Sequence, residues 1–294
     1  MTRTIIDQIE TLDCGSVIHH GQLNDRIYLM KASPRAPDLP LKLISMAQRL
    51  NYGKVFAKLP ARQADAFIAA GYVEEATVPE FYGGEDICRF LAYYLDPQRS
   101  VASDADELDA VLAVAKEKAS DPSAENDARQ TARRLTEDDV EALAAMYCAV
   151  FKTYPFPIHN PSYLLETMRS HIVYYGIEDG GSLIAVSSAE MDTDAQAAEM
   201  TDFATLPDQR GKGHAVRLLK LMEADMTARG ILTAYTIARA CSYGMNITFA
   251  KCGYQFAGRL INNTNISGRI ESMNVWHKRM PEFSDEAISS KHNN

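Results

Sequence analysis

Two glycines set among cations are the residues best placed to do chemistry. Residues 201–215 read Thr-Asp-Phe-Ala-Thr-Leu-Pro-Asp-Gln-Arg-Gly-Lys-Gly-His-Ala. A strand pattern ends at Leu206-Pro207, and a turn carrying Gly211 and Gly213 opens directly into a helical pattern. Lacking a Cβ, these glycines let the backbone bend with its N–H groups turned inward, close to a ligand. The first amides of the helix that follows have no internal partner, and the helix dipole adds partial positive charge there. Arg210 and Lys212 contribute full charges, so the main chain of Gly211, Lys212, Gly213, His214, Ala215 and Val216 is a candidate pyrophosphate site. The same residues also fit an ordinary strand–turn–helix connection. The spacing is not Gly-x-x-x-x-Gly-Lys-Ser/Thr, which excludes a P-loop. Nor is it Gly-x-Gly-x-x-Gly, because position 216 is Val.

The elements that must hold this loop can be read around it. Thr136 followed by Glu137, Asp138 and Asp139 is a helix start, with a hydroxyl cap and acids where the dipole favours them. Val140, Leu143, Ala144, Tyr147 and Phe151 recur at helical spacing, and Tyr154-Pro155-Phe156-Pro157 ends that helix. Strands are expected at 172–177, 183–189 and 199–206, the first two joined by a hairpin turn at Asp179-Gly180-Gly181. After the loop come a helix with Ala215, Leu218, Leu219, Met222 and Met226 on one face, a strand at 232–237 and a short helix at 245–251. Strands near 256–261 and 271–277 close the chain.

Composition bounds the possibilities. The 294 residues are 46% apolar and 23% charged, which excludes disorder as the main state, and no run approaches the ~20 apolar residues of a membrane-spanning helix. A net charge of −9 argues against nucleic acid or an anionic membrane as partner and suits a small cationic substrate. Five scattered cysteines form no Cys-x-x-Cys pair, and the seven histidines form no His-Glu-x-x-His, so neither a disulfide framework nor a metal is expected. His19-His20 reads as an ordinary exposed pair. An N-terminus with an acid by residue 7 and no apolar core points to the cytoplasm.

The chain divides into an N-terminal α/β part (1–100), an acidic Ala/Ser-rich linker (101–132), a main domain (133–280) and a polar tail (281–294). Leu108, Val111, Leu112 and Ala115 suggest one helix in the linker, ended by Ser120-Asp121-Pro122-Ser123. The N-terminal part echoes the end of the chain. Phe67, Gly71 and Tyr72 match Phe249, Gly253 and Tyr254 at a single offset of 182. If this is a repeat, it lacks the glycine loop and would serve structure or homodimerisation rather than form a second active site.

The pattern Arg-x-x-Gly-x-Ala at Arg210, Gly213 and Ala215, with this order of elements, resembles the Gcn5-related N-acetyltransferase (GNAT) family over residues 133–278. The resemblance implies an α/β (α+β) fold: a mixed, mostly antiparallel sheet flanked by helices, here preceded by a smaller half-GNAT-like α/β domain. It also implies acetyl-CoA as co-substrate, its pyrophosphate on the loop amides and its pantetheine arm lying like an added strand along Phe203, Ala204 and Thr205. A neutral amine must attack the thioester, although a lysine-type amine has a pKa of about 10.4, so the site needs a proton acceptor and a cation holder. Glu199 is the choice for base. Glu199 and Asp202, three apart on one strand, are expected on opposite faces of the sheet. Glu190 and Asp192 form a second acidic group.

Two family positions differ. The Tyr expected four residues before Gly253 is Phe249, and the frequent Asn eleven residues before it is Ser242, here assigned to cofactor binding. Tyr243 is the substitute acid for the departing thiolate, or else packs. A closer resemblance, to the β-lysine N6-acetyltransferase family, spans Val-Ile-His-His-Gly at 17–21 and residues 24–31, 154–158, 188–192, 199–213, 235–240 and 262–268. It implies acetylation of a side-chain amine by direct transfer in a ternary complex. Glu190 and Asp202 would then hold an ammonium, and Arg239 or the loop around Asn263 a carboxylate. Asn246, Tyr154 and Phe156 would contact the acceptor. Arg239 fits a structural ion pair equally well, and Phe156 a core position.

Overall fold

A computed structural model describes residues 7–34, 36–120 and 130–281. The tail expected after 281 and most of the break at Asp121-Pro122-Ser123 lie outside the described residues. The N-terminal half runs β1 (Gln8–Thr11), β2 (Val17–Gly21), β3 (Arg26–Lys31), α1 (Leu39–Leu50), β4 (Lys54–Pro60), α2 (Ala61–Ala69), β5 (Val73–Tyr82) and β6 (Asp86–Tyr94). Helix α3 (Ala105–Glu117) follows. The second half runs β7 (Thr131–Arg134), α4 (Val140–Val150), α5 (Pro161–Met168), β8 (Ile172–Asp179), β9 (Ser182–Asp192), β10 (Ala197–Thr205), α6 (His214–Ala228), β11 (Thr233–Arg239), α7 (Tyr243–Lys251), β12 (Gln255–Ile266) and β13 (Arg269–Arg279).

These strands form one sheet in the order β1-β2-β3-β4-β6-β5-β12-β13-β11-β10-β9-β8-β7. Among the described residues only β3–β4 and β10–β11 pair in parallel. The order is a near palindrome about the β5–β12 junction. On one side β3 lies parallel to β4, and β4 lies antiparallel to β6 beside β5. On the other, β10 lies parallel to β11, and β11 lies antiparallel to β13 beside β12. The junction pairs Ala76 with Gly258, themselves 182 residues apart, so equivalent strands meet antiparallel as in a symmetric dimer. The N-terminal counterpart of the glycine loop carries Pro34 and Pro37, and α1 has Pro40 in its first turn. That helix start therefore offers one amide fewer than the start of α6.

Alternation along the strands assigns the layers. Ala198 and Met200 of β10 face α6, whose Leu218, Leu219, Met222 and Met226 are fully buried, each contributing about 1.5–3 kcal/mol of apolar burial. On the opposite face α4 and α5 cover Ile172, Tyr174, Val186 and Ala204. Over β11–β13 that face is covered by the N-terminal half-sheet, where Tyr28, Phe56 and Phe90 pack with Tyr235, Leu260, Met273 and Val275. The linker expectation needs correction at α3. Its Leu108, Val111 and Ala115 are buried, Ala115 lies in the same core as Phe249, and Asp109 pairs with Arg259 at 2.8 Å.

Gly258 makes the junction possible. Its φ is +147°, and an added Cβ would lie 2.2 Å from the Glu75 carbonyl oxygen and 2.6 Å from Ala76 Cα. Gly258→Ala should lower unfolding free energy by about 2–4 kcal/mol, a backbone clash plus an unfavourable φ. Equilibrium urea denaturation checks this, and a loss near zero would mean that the two half-sheets do not depend on this contact.

Candidate active site

Strands β10 and β11 pair through three rungs, ending at Glu199↔Tyr235, yet β10 continues to Thr205 and β11 to Arg239. Beyond Glu199 the two strands part, and the edge of β10 facing β11 has no ladder partner. A bulge in β10 accompanies the fork. Two residues, Asp202 and Phe203, lie between the rungs Thr201↔Ser188 and Ala204↔Val186, where β9 has one. Asp202 takes a φ of +55°. The extra residue overturns the expectation that Glu199 and Asp202 face opposite ways. Asp202 accepts hydrogen bonds from Tyr154 and, at 2.6 Å, from Ser188, on the side where Glu199 lies.

The fork opens into a cleft of about 1040 Å³ whose lining includes Phe203, Thr205, Ser242 and residues 209–216. Gly211 and Gly213 have φ of +79° and +77°, and Gly213 starts α6 with no side chain capping the first amides. The Arg210 guanidinium donates to the Thr205 carbonyl at 3.3 Å and Lys212 to Gln209 at 2.9 Å, so both cations stay at the mouth. Both ring nitrogens of His214 are buried without a partner, and burial, then Arg217 and Lys212, hold its pKa down. Uncapped amides, two cations and an unpaired strand edge form the donor set that a diphosphate carrying an amide-containing arm requires. Acetyl-CoA fits this cleft.

At the apex, Glu199 is partly buried, and burial followed by the Glu190 carboxylate pushes its pKa up to about 7. Lys58 and a hydrogen bond from Tyr235 pull the other way. Burial also raises Asp202, against its Ser188 and Tyr154 bonds. Glu190 differs. Burial would raise it, but His171, at 3.6 Å, and Lys58 outweigh that and leave it below the usual carboxylate range. Lys58 arrives from β4 of the N-terminal half and donates to the Tyr235 hydroxyl at 2.9 Å. Asp192 lies outside the cluster and caps the β9–β10 turn through the Ala195 amide at 3.0 Å.

Two expected site residues have other work. The Arg239 guanidinium makes two 2.7 Å bonds to the buried Glu271 carboxylate, so it is a structural ion pair at the cleft wall and not a carboxylate receiver. Asn246 is fully buried. Its amide donates to the Arg239 and Ser242 carbonyls, and its oxygen accepts from Asn274 and the Trp276 indole, leaving nothing for an acceptor. Tyr243 is 45% exposed at the start of α7, between Ser242 and Gly244, which line the cleft. Ser242 does line the cleft, where its hydroxyl caps α7 at 3.4 Å. Phe249 is core, edge-on to Phe203 at 5.7 Å. Burial pushes the Cys252 thiol up to about 11 and raises Cys241, so neither is an activated nucleophile.

Other site neighbours were missed in the sequence. His19 and His20 are 0% and 6% exposed, not a surface pair. The His19 ring lies 4.8 Å from Phe156, so Phe156 packs where the N-terminal half meets the α4–α5 connection. Lys58 alternates with Val55, Ala57 and Leu59, which reads as a solvent face, yet the second half-sheet covers it. Among the described residues no group of three metal-ligating side chains occurs, and no helix is long and apolar enough to cross a membrane.

The forked parallel pair, the bulge and the uncapped helix start define an N-acetyltransferase of the GNAT class. The sequence model of the acetyltransferase (GNAT) family matches residues 140–254. The chain is 39% identical over 263 residues to the β-lysine N(6)-acetyltransferase of Methanococcus maripaludis, covering 90% of this chain and 96% of that one. It is 31% identical to the protein of the same name in Methanosarcina mazei, over 80% of this chain and 94% of that one. It is 30% identical to the N-acetyltransferase YodP of Bacillus subtilis, over 94% and 100%. The chain belongs, among the GNAT acetyltransferases, to the β-lysine N(6)-acetyltransferase family.

Ala215 lines the cleft in the first turn of α6. A carboxylate there suits the helix dipole but repels a diphosphate, so Ala215→Glu should weaken CoA binding about 100-fold without loss of thermal stability. Titration calorimetry and a melting curve check both halves, and unchanged affinity would remove the diphosphate from this helix start.

Proposed function

We propose that the protein transfers acetyl from acetyl-CoA to the side-chain amine of β-lysine, giving Nε-acetyl-β-lysine, a compatible solute. The observation that carries this reading is Glu199 at the apex of the fork, partly buried and held near neutrality, where an unpaired strand edge meets an acidic pocket. The amides of Gly211 to Val216 hold the diphosphate, and the open edge at Phe203, Ala204 and Thr205 aligns the arm, with Ser242 on the opposite wall. Acetyl-CoA bound there supplies an activated acyl carbon and a thiolate leaving group.

The substrate enters as an ammonium, drawn by Glu190, Glu199 and Asp202. Glu199 takes its proton, because a carboxylate near pH 7 accepts one at neutral pH whereas an ordinary carboxylate does not. Tyr154 and Ser188 fix Asp202 beside it as a charge holder. An unpaired β10 amide donates to the carbonyl oxygen as charge develops there. The new C–N bond forms as the C–S bond breaks, and the second proton of the attacking nitrogen passes to the released thiolate or to water. With a thiol pKa near 8.5, the sulfur leaves as a thiolate without a tyrosine acid.

Release of free CoA with β-lysine, lysine and spermidine tests the substrate. Clear preference for β-lysine is expected, and turnover of spermidine or lysine at the same efficiency would reject that acceptor. Glu199→Gln should lower kcat about 10²–10⁴-fold at pH 7 and abolish the rise of kcat/KM through about pH 7 that is expected of the unmodified enzyme. A variant that keeps that inflection assigns the base elsewhere. Stability gives an independent reading. Because folding raises the Glu199 pKa from 4.5 to about 7, its contribution is complete below about pH 4.5 and is lost as pH rises through 7. Glu199→Gln should therefore melt higher than the unmodified protein at pH 8 and equally at pH 4.5, by differential scanning calorimetry.

A further inference from the structure

Three polar side chains between the two half-sheets have no part in acetyl transfer and are left with bonds unmade. Arg26 on β3 is 4% exposed. One of its terminal nitrogens donates to the Asn263 carbonyl and, at 3.1 Å, to Thr264, while its Nε has no partner. Among the described residues it pairs with no carboxylate. The neighbouring buried cations are matched, Lys54 with Glu75 at 2.9 Å and Arg99 with Asp25 at 2.7 Å. Asp7, the other carboxylate in range of Arg26, has its oxygens engaged by Leu23 and Asn24. His19 on β2 is fully buried with the Pro155 main chain beside its ring, yet neither ring nitrogen makes a well-formed hydrogen bond, while burial, then Arg26, hold its pKa at about 4, leaving the ring neutral. Asn263 on β12 is 1% exposed and its side-chain oxygen is unpartnered. A buried guanidinium with no anion, beside two buried unsatisfied groups, is costly in an empty protein and is what a charged ligand would complete.

We propose that Arg26, His19 and Asn263 form the subsite for the head of an amino-acid acceptor, the guanidinium taking its carboxylate and the imidazole and amide oxygen its adjoining ammonium. This rests on the reading that Glu199 receives the side-chain amine. Arg26 pairs in register with Lys54, and Lys58, which stands in the Glu199 cluster, lies four residues further along the same face of β4, a main-chain rise of roughly 13 Å. That rise is of the order of an extended six-carbon diamino acid with a hydrogen bond at each end. The Arg26 guanidinium lies 5.4 Å from the centre of the Tyr28 ring, and Tyr28 stands between it and the Lys58–Glu199 end. The N-terminal half would thus read the acceptor's head while the second half performs the transfer.

The test uses the full-length enzyme with β-lysine and with 1,4-diaminopentane, which is β-lysine without its carboxylate, following CoA release. The unmodified enzyme should prefer β-lysine in kcat/KM by about 100-fold. Arg26→Gln should remove that preference by raising KM for β-lysine while leaving kcat within a few-fold, and should leave the diamine within twofold. Affinity for CoA, bound at the distant cleft, reports whether the variant is folded. Equal efficiency of the unmodified enzyme on both acceptors overturns the subsite without any variant. So does a folded Arg26→Gln that slows both equally. Turnover of neither acceptor by the unmodified enzyme would instead reject the proposed function, and the subsite with it.

Discussion

A parallel strand pair that separates after three rungs is the constraint on which the site depends. Continued pairing would satisfy the main-chain groups of β10 and β11 and leave no room between them. Separation exposes the edge of β10, and the cost of those unmade bonds is recovered only by a ligand or solvent that replaces them. The bulge at Asp202 and Phe203 belongs to the same event. It turns Asp202 towards Glu199 and Phe203 towards Phe249, so one strand serves an acidic pocket on one face and the cleft wall on the other.

Burying carboxylates at the apex requires compensation, and it comes from the other half of the chain. Lys58 belongs to β4, the N-terminal equivalent of β11, and stands against Tyr235 on β11 itself. The near-palindromic sheet brings together faces that in a single half would meet solvent. In the N-terminal half, Pro34, Pro37 and Pro40 occupy the stretch that corresponds to the glycine loop of the second half. What it retains is a pleated face carrying Arg26, Tyr28, Phe56 and Lys58, pressed over the acceptor side of the second half.

Legibility from sequence followed the range of the interactions involved. The glycine loop could be read because its chemistry is local: two positive-φ glycines, adjacent cations and a helix start lie within seven residues. Thr136 with Asp139 was equally plain, and both bonds of that capping box form. Arg239, Asn246 and Tyr243 could not be assigned, because their states depend on Glu271, on Asn274 and Trp276, and on which way a helix start faces. In β4 a period-two pattern separates two sides without saying whether the side carrying Lys58 meets water or another sheet. Lys58 meets another sheet, and His19 on β2 meets the α4–α5 connection. The bulge defeated simple alternation at Asp202, since one inserted residue reverses the facing of everything after it.

On the proposed mechanism, the charges at the apex would let one site both attract a cation and deprotonate it. Three carboxylates, Glu190, Glu199 and Asp202, face one ammonium, Lys58, within the cluster. Glu190 is held ionised, against burial, by His171 and Lys58, so it can attract an amine without competing for its proton. Glu199 has Lys58 and the Tyr235 hydroxyl beside it, but burial with the Glu190 charge outweighs them and leaves its affinity for a proton near the midpoint of the neutral range. An arriving ammonium would supply the missing counter-charge and at the same moment the proton that Glu199 is set to accept. Once that proton has moved, the amine is neutral and the apex carries one negative charge fewer. A buried pocket tolerates that state better than the charged one it replaces. On the proposed mechanism, the same desolvation that destabilises the ionised Glu199 would therefore favour proton transfer, Lys58 offsetting that penalty only in part.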